Sequence, residues 1–65
     1  MDWQLNAMLA EFTKDCRHLV EHAEEAQKLF NDGNLDSVRE IVSLSAYKIS
    51  QATDDRAAIL KHLEA

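Results

Sequence analysis

Apolar residues recur through the first half of the chain at steps of 4, 3, 4, 3, 4, 3 and 4: Leu5, Leu9, Phe12, Cys16, Leu19, Ala23, Ala26 and Phe30. An alternation of this kind is the heptad seam of a helix, with Leu9, Cys16, Ala23 and Phe30 at position a and the others at d. The second half repeats the pattern less cleanly, through Leu35, Val38, Val42, Ser45, Ile49, Ala52, Arg56, Ile59 and Leu63, of which Ser45 and Arg56 are polar. Between the halves stands Asn31-Asp32-Gly33-Asn34, which contains the only glycine. Gly33 can take the left-handed conformation that ends a helix, and Asn34 is a good N-cap for the next one. Asp2 can cap the first helix in the same way. The pattern therefore predicts two helices, over residues 3–31 and 35–63. A break near Thr53-Asp54-Asp55, with Thr53 capping a short third helix, is the rival reading. The heptad frame runs through that point without slipping, and neither glycine nor proline marks it.

Folding the chain back at Gly33 brings the two seams into one antiparallel frame. Phe30 is expected to meet Val38, Ala26 Val42, Leu19 Ile49, Cys16 Ala52, Leu9 Ile59 and Leu5 Leu63. This is an αα-hairpin, and the fold class expected is all-α. Further apolar residues flank the seam at e and g, among them Met8, Val20, Leu29, Ile41, Ala46 and Leu60. They widen the stripe beyond what one neighbouring helix can cover. A second copy packing on that surface would complete an antiparallel four-helix bundle. Its expected dimer core comprises Leu9, Phe12, Cys16, Leu19, Ile49 and Ala52, with Cys16 and Leu19 near the two-fold axis.

The chain has 65 residues, which allows one domain spanning 1–65 and leaves little room for a self-sufficient core. Small domains usually gain stability from disulfides, a metal or another subunit. Cys16 is the only cysteine, so no internal disulfide is available and oligomerisation becomes the expected route. One thiol suits a reducing compartment, no apolar run is long enough for a membrane span, and MDWQLNAMLAEF does not read as a signal peptide. The expected location is cytoplasmic. Formal net charge is −5, and from Glu21 to Glu40 six acids face only two bases, Lys28 and Arg39. An acidic middle argues against a phosphate backbone as the main target and favours a basic partner.

Candidate chemistry is sparse. The stretch HLVEH, His18 to His22, matches the H-x-x-E-H spacing of one class of zinc peptidases, with Glu21 as base and Glu25 as a further ligand type. In the heptad frame His18 falls at c, Glu21 at f and His22 at g, toward solvent or the bundle edge. A catalytic zinc needs three ligands and a walled cavity, so His18, His22 and Glu25 are candidates only for weak metal binding. Cys16 and His18, two apart on a helix, do not face each other. The expectation is a protein that is not an enzyme and needs no cofactor. Outside the seam the large apolar residues are Trp3 at b, Leu44 at c and Tyr47 at f. Leu44 and Tyr47 adjoin on the outer face of the second helix and, with Trp3, are the expected partner-binding residues.

Chain length, a central tight turn and mixed small and large core layers resemble the Rop family in architecture. That resemblance implies a dimer of hairpins and recognition of paired RNA loops through the exposed face of the first helix. No sequence motif of that family is matched, so no functional residue carries over. The RNA alternative would use Lys14, Arg17 and Lys28, which stand among Glu11, Glu21, Glu24 and Glu25. The segment AEEAQKLFNDGNLDSVREIV also resembles the helix–turn–helix of a tetratricopeptide unit, without the following repeats that a solenoid requires. The function expected is that of a non-catalytic, homodimeric regulator, adaptor or chaperone that binds another protein.

Overall fold

Two helices occupy nearly the whole chain, α1 over Trp3–Asn31 and α2 over Leu35–Glu64. The computed structural model describes residues 2–64. The helix ends are held by local chemistry. At the start of α1 the Leu5 amide donates to Asp2 Oδ1 at 2.9 Å, so Asp2 is the cap. At its end Gly33 has φ of 78°. The Gly33 amide donates to the Phe30 carbonyl at 3.0 Å and the Asn34 amide to the Leu29 carbonyl at 2.9 Å. Those two bonds form a Schellman motif, which occupies carbonyls the ended helix would leave unpaired. Asn34 then caps α2 through a hydrogen bond from the Ser37 amide to its Oδ1 at 3.2 Å. Helix α2 continues through Thr53, whose hydroxyl donates to the Ile49 carbonyl of its own helix at 2.8 Å. No third helix forms there, because a heptad pattern without glycine or proline offers no reason to stop.

The helices pack side by side as a hairpin, but the edge of the stripe they bury differs from the expected one. Half-buried or buried residues on α1 run Leu5, Met8, Phe12, Asp15, Leu19, His22, Ala26 and Leu29. On α2 they run Val38, Ile41, Ser45, Lys48, Ala52, Asp55, Ile59 and His62. These are the d and g positions, not d and a. Leu9, Phe30, Val42, Ile49 and Leu63, all expected inside the hairpin seam, are exposed instead. The cause is the width of the stripe: from g through d and a to e it covers roughly 160° of the helix at 100° per residue. One neighbouring helix covers only part of that, and the hairpin takes the d/g part. Polar residues at g assist, since Asp15, Lys48 and Asp55 meet across the seam and His62 Nε2 lies 2.7 Å from Asp2 Oδ2 at its open end.

The result is a rod one helix thick, 49 × 17 × 11 Å. Its radius of gyration is 15.1 Å, against about 11 Å for a compact domain of this length. A stable core ordinarily lies between two layers of secondary structure, and here there is one layer. Accordingly, among the described residues only Asp15, at 4 % exposure, and Ile59, at 7 %, are buried. No helix among the described residues is long and apolar enough to cross a membrane.

Candidate functional site

In an antiparallel hairpin joined through d and g, the a and e positions of both helices fall on the same broad side. Eight of the eleven exposed large apolar residues occupy those positions: Leu9, Val20 and Phe30 on α1, and Leu35, Val42, Ile49, Leu60 and Leu63 on α2. Each is between 42 % and 63 % exposed. The opposite side carries Gln4, Glu11, His18 and Glu25 at the c positions of α1 and Ser37, Leu44, Gln51 and Ala58 at those of α2. One side of the rod is therefore apolar and the other mainly polar. Exposed apolar patches of this extent mark interaction surfaces.

The apolar side is grooved where its side chains are small. Leu19, His22, Ala23, Ile41, Val42, Ser45 and Ile49 line a depression of about 310 Å³. A neighbouring depression of about 450 Å³ shares Ala23 and Val42 and extends to Phe30 near the turn. The thin layer of Ala23 with Ser45 lets the floor drop, and the larger Val42, Ile49 and Phe30 form the walls. Such alternation receives knobs from a facing helix. The charged residues at a and e of α2 are Arg39 and Arg56, both exposed.

The expected dimer-core residues divide between the two surfaces. Phe12, Cys16, Leu19 and Ala52 are half-buried within the hairpin, whereas Leu9 and Ile49 stand on the open side. The expected partner residues are all exposed, Trp3 at 78 %, Leu44 at 61 % and Tyr47 at 67 %. Trp3 thus leaves the open end of the hairpin uncovered. Leu44 and Tyr47, at c and f, turn away from the apolar side, and the Lys48 ammonium lies 5.9 Å from the Tyr47 ring centroid, at the outer limit of a cation–π contact. Lys14, Arg17 and Lys28 are exposed along α1.

The HLVEH stretch is split by the fold. His22 turns into the edge of the seam and lines the groove, His18 is half-buried on the other side, and Glu21 and Glu25 are exposed. The shielded Nδ1 atoms of His18 and His22 have no hydrogen-bond partner. Among the described residues, no group of three or more His, Cys, Asp or Glu is arranged to hold a metal ion.

Two carboxyl groups depart from their ordinary behaviour. Asp2 is held below its usual value of 3.8, first by its hydrogen bond with His62 and then by the Leu5 amide. Asp55 is pushed up from 3.8 to about 6, first by its hydrogen bond with Asp15, then by desolvation and by the charges of Asp15, Glu11 and Asp54. Sequence periodicity placed neither Asp15 nor Asp55 in the seam, since both lie at g, outside the a/d frame. No family model, curated protein or solved structure matches the chain.

Proposed function

We propose that this is a non-catalytic protein-binding helical protein that acts as a homodimer, each hairpin covering the apolar side of the other in an antiparallel four-helix bundle. The observation that carries this reading is the one-sided apolar face. In a four-helix bundle each helix touches two neighbours, one through its d/g edge and one through its a/e edge. The hairpin uses the first edge and leaves the second open on both helices. The broad side measures 49 × 17 Å. That is roughly 800 Å², what each partner contributes to a stable interface of standard size. A second copy also supplies the missing layer without any further cofactor or disulfide.

Dimerisation through the a/e side leaves Leu44 and Tyr47 free, because c and f point away from it. They are the anchors for a different protein, with the acidic segment around the turn favouring a basic partner. The role is that of a small regulator, adaptor or chaperone, and the single thiol of Cys16 suits work in the cytoplasm. Sedimentation equilibrium at low micromolar concentration tests the assembly. The expected mass is twice the 7.4 kDa of one chain; a well-folded monomer at that concentration would reject the bundle. Replacing Leu44 and Tyr47 with glutamine should abolish capture of the natural partner from cell extract while leaving helicity and mass unchanged. Undiminished capture would remove these residues from the site.

A further inference from the structure

Near the middle of the seam the hairpin gathers charged groups that packing does not require. Asp15 on α1 is 4 % exposed, and Lys48 and Asp55 on α2, one heptad apart, stand on either side of the level it faces. The Lys48 ammonium is 3.9 Å from Asp15 Oδ1, too far for a strong hydrogen bond, and donates instead to Gln51 Oε1 at 3.0 Å. Asp15 and Asp55 hydrogen-bond each other through their carboxyl groups. Asp55 Oδ2 is shielded from solvent and has no donor from any other residue. An ionised carboxylate only accepts hydrogen bonds, so a bond between two carboxyl groups requires a proton on one of them. The other groups that face the pair, Glu11 from α1 and Asp54 from α2, are acids that add negative charge. Lys48 is the cation that reaches it. Four acids beside one loosely placed ammonium favour retention of a proton.

We propose that Asp15 and Asp55 share a single proton across the seam, and that this makes closure of the hairpin sensitive to acidity. The apolar side depends on that closure, because Val20 and Phe30 come from one helix and Val42 and Ile49 from the other. The device does not depend on what covers that side, since the g positions lie on the edge of the seam away from a and e. Its direction follows from the raised Asp55 value of about 6 against 3.8. The folded protein holds the proton more tightly than the unfolded chain, so the stabilisation is fully present below the unfolded value and is lost as pH rises through the folded one. Mild acid tightens the hairpin, and neutral pH loosens it.

Carbon-detected NMR titration of the aspartate side chains in the full chain, with thermal melts at pH 5 and pH 7.5 at one fixed concentration, tests the proposal. One carboxyl of the pair should titrate near pH 6. The wild-type melting temperature should fall on the order of 5 °C between the two conditions, as expected for a modest loss in a domain of this size. Asp55→Asn keeps the donor of the protonated form and should remove most of that fall. Asp15→Asn, from the other side of the same proton, should do likewise. If both carboxyls titrate near pH 4, or if the fall persists undiminished in both variants, the shared proton is wrong. Where neither variant folds, the wild-type titration decides alone.

Discussion

The open apolar side makes a quantitative prediction for the paired substitution Val42→Gln and Ile49→Gln. In the single hairpin these side chains are 56 % and 53 % exposed, so about half of each remains to be covered. Full burial of such a side chain gains ~1.5–3 kcal/mol, so covering the remaining half contributes about 1 kcal/mol. By symmetry a dimer covers four of them, and their loss weakens association by about 4 kcal/mol, roughly a thousandfold in dissociation constant. Glutamine is a better helix former than valine or isoleucine, so helicity should hold or rise. Sedimentation equilibrium over a wide concentration range, with far-ultraviolet circular dichroism on the same samples, reads both quantities. A native dimer that becomes a helical monomer on substitution is the expected outcome. A variant that associates as tightly as the native protein would refute the assignment of this side as the interface. Loss of helix together with loss of association would mean that the residues support the hairpin itself.

The turn and the open end yield two further predictions. Gly33→Ala places a Cβ in open space, with nothing within 4 Å, but at a φ of +78°. The cost is then backbone strain alone, about 1–2 kcal/mol, read as a melting temperature lower by about 4–8 °C per kcal/mol; an unchanged melt would mean that the turn rearranges. Asp2→Ala removes both the cap bond to Leu5 and the 2.7 Å contact with His62, so the Leu5 amide should exchange faster with solvent. The Asp2 carboxyl is held below 3.8 in the folded protein. Its stabilisation is therefore present above that value and lost as pH falls through the lowered one. The difference between wild type and variant should be evident at pH 5 and vanish in stronger acid. A difference that survives in acid would assign the effect to something other than the ionised carboxylate.

Local features of the fold were legible in the sequence because their causes are local. The helix ends follow from residues within four positions of each terminus: Asp2 beside Leu5, Gly33 after Asn31, Asn34 before Ser37. The continuity of α2 through Thr53 follows from an uninterrupted heptad pattern. The interaction residues named from their heptad letters, Leu44 and Tyr47, are exposed on the polar side because c and f lie far from any buried edge.

The orientation of each helix within its stripe was not determined in the same way. Periodicity locates the stripe along the chain, and a stripe as wide as g-d-a-e has two usable edges. Leu9, Phe30, Val42 and Ile49 look as fit for the hairpin seam as any residue in the chain, and a reading based on apolarity puts them there. The fold instead gives the seam to positions that include Asp15, His22, Lys48 and Asp55, whose mutual contacts span residues far apart in sequence. The sequence alone thus determined two capped helices, their turn and an apolar excess. Only the tertiary structure decided that the excess collects on one open side and that two carboxyl groups meet in the seam. The physical reason is that hydrogen bonds and dihedral angles within a turn are settled by near neighbours, while the rotation of one helix against another depends on which side chains meet across the gap.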